Sequence, residues 1–292
     1  MAREVLAGPM PQHVAIIQDG NRRYAEKIGE PRAYGHVCGA LTTERVLRWC
    51  LDLGIRQLTL YSFSTENYGR SEGELNALFS LIEQRFADLY EEEQIYEKQV
   101  RVRMIGERDL LPKGVLQSVE RVEEATRDFD KHLLNFALAY GGRQEIVDVV
   151  RSIAELVEGG FLRAEEITED MLTGFFYNNN ALDDVDLIIR SGGEERTSNF
   201  LPWQANGNEC CSYFCAPYWP EFRRIDLLRA VRTFQEKEQE RRETVVQRVF
   251  LFLNEVGKVE AEEVFRLSRK ACVITRDEVK DILRELVPRI RA

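Results

Sequence analysis

Short apolar runs alternate with long amphipathic segments along most of the chain. The short runs have the length of β-strands and are rich in β-branched, aliphatic and aromatic residues. They cover His13–Ile17, Gln57–Phe63, Val100–Ile105, Leu133–Ala139 and Val185–Ile189. Segments of helical length lie between them, at about 38–53, 73–97, 109–128 and 143–158. Because strands that alternate with helices are typical of a mostly parallel central sheet with helices on both faces, we predict an α/β fold.

The last part of the chain has a different pattern, which predicts a helical C-terminal extension. Six apolar positions share one face of a predicted helix: Val245, Val246, Val249, Phe250, Leu253 and Val256. Thr275 and Glu278 have the spacing of a capping box at a helix start. The charge changes as well, from 30 basic and 42 acidic residues in 1–244 to 10 and 8 in 245–292. We predict a main domain at 1–244 and an extension at 245–292, which packs on the body or on a partner because so short a segment buries little apolar surface alone.

Composition excludes several classes of protein. Hydrophobic residues make up 44% of the 292 residues and charged residues 31%, which argues against intrinsic disorder. The formal net charge of −10 argues against a nucleic-acid partner, since such proteins normally carry a basic excess. No apolar run approaches the ~20 residues that span a bilayer, and the first residues lack the pattern of a signal peptide. Six cysteines are too few for a disulfide framework, so we expect a cytoplasmic, reducing location. We also expect the cysteines at 210–215 to be small apolar residues on a buried segment.

Groups suited to binding anions follow the first predicted strand. Asp19 comes directly after the strand and next to a predicted helix start, where backbone N–H groups bind anions and a carboxylate can hold Mg²⁺ against phosphate oxygens. Arg23, Arg32 and His36 follow within a short stretch and add further phosphate donors. Taken alone, this cluster is also typical of a helix cap followed by solvated basic residues.

Two further strand ends carry similar groups. Arg190 ends the last predicted strand, and a Gly-Gly turn separates it from Arg196 and Ser198. Two guanidinium groups and a hydroxyl beside a glycine-rich turn suit a diphosphate. A third polar cluster, residues 62–70, follows the second strand. One anionic substrate needs one such cluster, so the pattern indicates two diphosphate-bearing substrates side by side. No Ser–His–Asp order, P-loop motif or Cys-x-x-Cys pair is present, which argues against hydrolase, P-loop and redox chemistry.

From about His13 to about Arg242 the chain resembles the cis-prenyltransferases, the family of undecaprenyl and dehydrodolichyl diphosphate synthases. The similarity rests on motifs in family order: DGNRRYA, RAYGH, LYSFSTEN, NFALAYGGR, IIRSGGEERTSNFLPWQ and WPEF. The resemblance implies a catalytic domain at 1–244 that condenses isopentenyl diphosphate with an allylic prenyl diphosphate. The product would be a polyprenyl diphosphate for glycosyl-carrier lipids.

The resemblance also assigns roles to individual residues. It implies Mg²⁺ as the cofactor, with Asp19 and Glu209 as the metal-associated carboxylates. It implies catalytic roles for Asp19 and Asn67. The substrate-binding residues that it implies are Gly20, Asn21, Arg22, Arg23, Arg32, His36, Ser64, Glu66, Arg70, Arg190, Arg196 and Ser198. An apolar groove along the helix predicted at about 73–97 would hold the growing chain.

Alternatives remain open for the reaction and for assembly. A related prenyltransferase with a different acceptor, or one that performs a single condensation, stays open because the tail and Arg22 depart from the family pattern. A non-catalytic partner subunit would not need Asp19, the arginine clusters or Glu209. The resemblance implies a dimer that packs through the region from about Glu209 to Phe222. In a monomer the aromatic residues of this region would form an exposed apolar patch, so we expect a symmetric dimer; they are Phe200, Tyr213, Phe214, Tyr218 and Trp219. Family homodimers commonly end in Arg-x-Gly, which is missing after Arg241, so a homodimer and a heteromer both remain possible. Because the implied product is a lipid, we also expect transient contact with a membrane surface at product release.

Overall fold

The computed structural model describes residues 2–176, 182–205, 210–255 and 260–291. Its six strands are β1 (His13–Ile17), β2 (Gln57–Ser64), β3 (Val100–Ile105), β4 (His132–Tyr140), β5 (Leu187–Arg190) and β6 (Cys211–Phe214). They form one sheet in the order β3-β4-β2-β1-β5-β6, and every neighbouring pair is parallel. The predicted α/β fold with a mostly parallel sheet is therefore confirmed.

Helices connect the strands. They are α1 (Ala2–Ala7), α2 (Asn21–Ile28), α3 (Arg32–Asp52), α4 (Glu72–Glu91), α5 (Glu93–Glu97), α6 (Lys113–Thr126), α7 (Gly142–Glu158), α8 (Glu169–Phe175), α9 (Arg224–Glu255), α10 (Ala261–Ser268) and α11 (Arg276–Arg291). Among the described helices, none is both long and apolar enough to cross a membrane.

The strand and helix pattern differs from the prediction in several places, among them an edge strand and a helix break. Residues 210–215 were expected to be a buried segment, yet Cys211–Phe214 is the edge strand β6, with only partly buried or exposed side chains. A four-residue strand that contains a serine gives too weak a pattern to be found by period alone. The helix expected at about 73–97 is broken at Glu92, whose φ of −75° and ψ of 109° are extended.

The centre of the sheet is fully buried. All five residues of β1 are buried, as expected for a strand covered on both faces by helices. Three buried polar side chains connect β1, β2 and β4. The Nε2 atom of His13 lies 2.7 Å from Oγ1 of Thr59, which accepts a hydrogen bond from Nδ2 of Asn135 at 2.9 Å. These hydrogen bonds compensate part of the cost of burying polar groups in the sheet.

The chain separates into two compact units, residues 1–231 and 232–292. The second unit has its own apolar core, in which Phe250 and Leu253 of α9 pack with Val264 of α10 and Val279 of α11. Thr275 and Glu278 form the predicted helix start, where the side chain of Glu278 accepts from the backbone N–H of Thr275 at 2.7 Å. The domain boundary at 244 stays a prediction.

Candidate active site

The order of the strands brings the predicted polar segments together. β1 lies between β2 and β5, so the carboxyl ends of these three strands are adjacent at one edge of the sheet. In open parallel sheets, ligands bind at this edge. The groups after β1, β2 and β5 therefore lie together in one cleft.

Gly20 shapes the turn between β1 and α2. Its φ of +106° lies in a region that side chains rarely adopt. A Cβ atom there would lie 2.7 Å from Cδ1 of Tyr218, so the turn has room only for glycine. The backbone N–H of Trp219 donates to the carbonyl of Asp19 at 2.9 Å and holds the other side of the turn. These contacts place the Asp19 side chain at the mouth of the site.

Two arginines contact the Asp19 carboxylate. Nη2 of Arg190 donates to Oδ2 at 2.8 Å, and Nη2 of Arg23 lies 3.0 Å from Oδ1. Arg190 is buried, whereas Arg23 and Asp19 are partly exposed. The buried guanidinium is anchored by Asp19, while Arg23 lies at the open side of the cleft.

Arg190 also organises the loop that follows β5. Its Nη1 atom donates to the carbonyl of Arg196 and to Oγ of Ser198, both at 2.6 Å. Ser198, Asn199 and Leu201 all have positive φ angles, which are unusual for non-glycine residues. Such backbone strain clusters where a loop conformation serves a binding site. Arg196 itself forms an ion pair with Glu194 and is largely exposed.

A second basic cluster surrounds Glu74, which the sequence reasoning missed. Its carboxylate lies 3.2 Å from Arg70, 3.5 Å from Nε2 of His36, and 3.8 Å from both Arg22 and Arg32. Only about a tenth of the Glu74 side chain is exposed. The sequence could have indicated this residue, because Glu74 follows Arg70 by four residues, the spacing of an ion pair on a helix. One buried carboxylate therefore holds four basic groups at the first turn of α4.

Burial lowers the pKa of His36, and the nearby Arg70 guanidinium lowers it further. Nη1 of Arg70 lies 3.4 Å from Nε2 of His36, which suits a neutral imidazole whose Nε2 accepts a hydrogen bond from the guanidinium. His36 is therefore a neutral hydrogen-bonding group at neutral pH.

The loop after β2 is closed by its own polar side chains. Oδ1 of Asn67 accepts from the backbone N–H of Ser64 at 3.3 Å, and Ser64 in turn caps the short helical turn that contains Asn67. This capping box turns residues 65–69 away from the strand direction and leaves Glu66 beside the cleft.

All but two of the predicted site residues line one cleft. They are Asp19, Gly20, Asn21, Arg22, Arg23, His36, Ser64, Glu66, Asn67, Arg70, Arg190, Arg196 and Ser198. Arg32 is outside this lining; its guanidinium donates to Oε1 of Glu26 at the surface. Glu209 lies outside the described residues. Glu26 and Glu194 also line the cleft, and the sequence reasoning had assigned neither of them a role.

An apolar tunnel continues from the cleft. It runs between α3, α4 and the sheet, and encloses about 310 Å³. Its apolar lining comprises Leu47, Leu60, Leu78, Leu81, Ile82, Phe86, Leu89, Ile95, Leu134, Phe136 and Leu138. Gln18, Asn21, His36 and Ser62 line both the cleft and the tunnel. A ligand with an anionic head and a long apolar chain fits this combination.

The aromatic residues expected to form an exposed patch do not all do so. Phe200 and Trp219 are buried within the chain. The Phe200 ring stacks on Tyr61 at 4.5 Å, and Nε1 of Trp219 donates to the carbonyl of Gly39 at 2.9 Å. Tyr213, Phe214 and Tyr218 are partly exposed. The expectation of a five-residue aromatic patch was wrong, because two of its members fill the core beneath the site.

The donor set of the cleft fits a magnesium ion that binds together with a diphosphate. Within the described residues, no three His, Cys, Asp or Glu side chains form a cluster that could hold a metal alone. Asp19 instead offers one partly exposed carboxylate among groups that bind phosphate oxygens. Mg²⁺ commonly takes one or two protein carboxylates and completes its shell with phosphate oxygens and water.

Comparison with known proteins agrees with this geometry. The profile of the family described as "Putative undecaprenyl diphosphate synthase" matches residues 17–242. A relative from Methanosarcina mazei, named tritrans,polycis-undecaprenyl-diphosphate synthase (geranylgeranyl-diphosphate specific), is 48% identical over 264 residues, which are 89% of each chain. A protein of the same name from Archaeoglobus fulgidus is 50% identical over 235 residues, covering 80% of this chain and 93% of the relative.

Solved structures show the same fold. The lavandulyl diphosphate synthase from Lavandula x intermedia, in complex with dimethylallyl diphosphate, has a TM-score of 0.74 and 32% identity, covering 80% of this chain and 96% of that one. A probable undecaprenyl diphosphate synthase from Campylobacter jejuni has a TM-score of 0.61 and 29% identity, covering 77% and 95%. The chain thus belongs to the undecaprenyl diphosphate synthase family and is a cis-type prenyltransferase that elongates prenyl diphosphates.

Proposed function

We propose that the chain extends geranylgeranyl diphosphate with isopentenyl diphosphate units and releases a polyprenyl diphosphate. One observation carries the proposal: a cleft rich in arginines opens directly into an apolar tunnel. The relatives named as specific for geranylgeranyl diphosphate support this primer. A short allylic primer would leave most of the tunnel empty, whereas a longer one gains binding energy from the apolar wall.

The two diphosphates would occupy two sides of the cleft. We assign the allylic diphosphate to the basic groups around Glu74, because one of them, His36, also lines the tunnel, and to Arg23, which contacts Asp19 in the same cleft. We assign isopentenyl diphosphate to Arg196 and Ser198, which the buried Arg190 holds in place. Charge-assisted contacts of this kind are strong and directional.

Asp19 would hold Mg²⁺, which when bound would neutralise charge on the diphosphate oxygens; the metal role of Glu209 stays a prediction. The arginines of the cleft also stabilise negative charge on the diphosphate. Arginines near the allylic oxygens stabilise the diphosphate as its bond to carbon C1 breaks. The double bond of isopentenyl diphosphate attacks C1 as the C1–O bond breaks and the primer's diphosphate leaves. A proton then passes from the isopentenyl unit to an oxygen of the released diphosphate, and the new double bond is cis. The apolar wall keeps water from the cationic carbon, which would otherwise be hydrolysed.

The test is turnover by the purified full chain. Radiolabelled isopentenyl diphosphate is supplied with Mg²⁺ and, in separate reactions, dimethylallyl, farnesyl or geranylgeranyl diphosphate. We expect the highest kcat/KM with geranylgeranyl diphosphate, and a ladder of long products on thin-layer chromatography. Addition of a single unit would favour the alternative of one condensation, and no incorporation with any primer would contradict the proposal.

We further propose a homodimer. In the described part of the chain, β6 pairs only with β5, so its other edge is open to a partner strand or helix. Tyr213 and Phe214 on this strand are partly exposed. Light scattering of the active chain tests the assembly; activity only after a second subunit is added would favour the heteromer. A cytoplasmic location with transient membrane contact stays a prediction.

A further inference from the structure

The outer face of α3 carries an apolar stripe that has no partner within the described chain. Tyr34, Val37 and Leu41 are 47%, 37% and 45% exposed. Their spacing places all three on one side of the helix. Large apolar side chains scattered singly over a surface are ordinary, but a contiguous group of them marks an interaction site.

A groove beside this stripe leads into the tunnel. It runs between α3 and α4 and is lined on its apolar part by Ala33, Val37, Ala77, Leu78 and Leu81. His36, Leu78 and Leu81 line the groove and the tunnel alike. The stripe therefore lies at a side opening of the cavity that we propose for the growing chain. We call Tyr34, Val37, Leu41, Ala77 and Leu81 the α3–α4 patch.

Ion pairs close the same side of the tunnel further along the helices. Nη1 of Arg85 donates to Oε1 of Glu44 at 2.9 Å, and Arg48 lies 3.7 Å from Glu92. The first pair joins α4 to α3, and the second joins α3 to Glu92, the residue between α4 and α5. The apolar opening is thus confined to the half of the two helices that is nearer to the diphosphate cleft.

The stripe continues into a basic residue. Arg45 lies four residues after Leu41, on the same side of α3. Its guanidinium donates to the carbonyl of Leu41 and to Oγ1 of Thr42, and it forms no ion pair among the described residues. At a bilayer surface, apolar side chains of this kind enter the headgroup region, and an arginine beside them can meet lipid phosphates.

We infer that the α3–α4 patch is the surface by which the protein contacts a lipid bilayer containing anionic lipids. The inference rests on the proposed function, since only a lipid product needs such an exit. Contact at this face would place the side opening of the tunnel against the apolar layer, so the polyprenyl chain could leave without crossing water. The charge of Arg45 complements anionic headgroups, although the whole chain carries a net charge of −10.

The test is vesicle flotation with the purified full chain. Vesicles contain phosphatidylcholine with phosphatidylglycerol, and the variants are Tyr34→Glu, Leu41→Glu and their combination. We expect the double variant to lower vesicle binding at least about tenfold, because a charge replaces each apolar contact. The control is Phe161→Glu, which removes a side chain that is 84% exposed elsewhere on the surface and should leave binding unchanged.

Two further measurements separate the possible outcomes. Thermal unfolding shows that the variants fold, and turnover in detergent should match the parent chain because none of the substituted residues lines the cleft. A parent chain that does not bind vesicles, equal binding by the double variant, or loss of binding in Phe161→Glu would overturn the inference. A change in the molar mass of Leu41→Glu would also overturn it and make the patch an interface between chains. A parent chain that floats but condenses nothing would contradict only the proposed function.

Discussion

The carboxylate of Asp19 accepts a hydrogen bond from the buried guanidinium of Arg190 at 2.8 Å, although 171 residues separate them. The contact joins the ends of β1 and β5, which are adjacent strands. Through it, the proposed metal-binding carboxylate and the proposed isopentenyl diphosphate loop share one anchor. Changes at either residue should therefore affect both halves of the site.

Asp19→Ala is expected to lower kcat by about 100-fold or more while the chain stays folded, since metal-assisted stabilisation of the leaving diphosphate is worth several kcal/mol. Asp19 is partly exposed, so its loss removes little packing. The measurement is steady-state turnover with Mg²⁺, alongside circular dichroism. Glu26→Gln removes another carboxylate charge of the same cleft but keeps an acceptor for Arg32, so this matched control should keep kcat within about threefold. Retention of more than about a tenth of the activity by Asp19→Ala would contradict a central metal role.

Arg196→Ala and Arg32→Ala should separate the two substrates. Arg196→Ala is expected to raise the KM for isopentenyl diphosphate about tenfold more than that for the primer, because it removes a charge-assisted contact from one side of the cleft. Arg32→Ala should act mainly on the primer, and more weakly, since its guanidinium is turned toward Glu26. Initial rates with each substrate varied in turn give both constants. Equal effects of both variants on the same substrate would show that the two-site assignment is wrong.

Glu74 is predicted to position the basic groups of the allylic site. Glu74→Ala should raise the KM of the primer about tenfold, because Arg22, Arg32, His36 and Arg70 lose the acceptor that holds them in place. Glu74→Gln keeps an acceptor for Arg70 and should stay within about threefold of the parent. The same initial-rate measurements apply. A Gln variant as impaired as the Ala variant would show that the charge itself is needed.

The buried His13 predicts a loss of stability in acid. Burial lowers the pKa of His13 from its usual 6.5, so below that pH the unfolded chain binds more protons than the folded one. The free energy of unfolding should therefore fall as the pH is lowered from about 7 to 5. His36 acts in the same direction. In His13→Gln the slope should be shallower in thermal melts across this range, and a slope equal to that of the parent chain would contradict the prediction.

The buried Glu145 predicts that its contribution to stability falls as the pH rises from 5 to 8. Burial raises the pKa of this carboxyl to about 7, although the Tyr140 hydroxyl and the Gln204 amide donate to it. Stability from this group is complete below the unfolded pKa and is lost as the pH rises through about 7. Relative to Glu145→Gln, the parent chain should lose about 2–3 kcal/mol between pH 5 and 8. Denaturant unfolding of both proteins at the two pH values measures the difference, and parallel behaviour would contradict it.

Much of the fold could be predicted because its pattern is local. β1 and β3 were predicted with the bounds that the structure has, since each is a short apolar run of strand length. α3 was expected to begin at 38 but starts at Arg32, because Pro31 precedes the helix and the basic residues of its first turn read as a loop. The break at Glu92 lies within a run of glutamates, with no proline or glycine to mark it.

The sequence by itself determined the types of groups at the strand ends, since each motif is continuous in the chain and its chemistry follows from residue type. Only the tertiary structure decided which of them meet. The strand order placed Asp19 beside Arg190, and the packing of α3 against α4 placed His36 beside Glu74. It also buried Phe200 and Trp219, which were expected to belong to an exposed patch at a dimer interface. Periodicity records which face of an element is apolar, but the partner of that face depends on contacts between segments far apart in the chain.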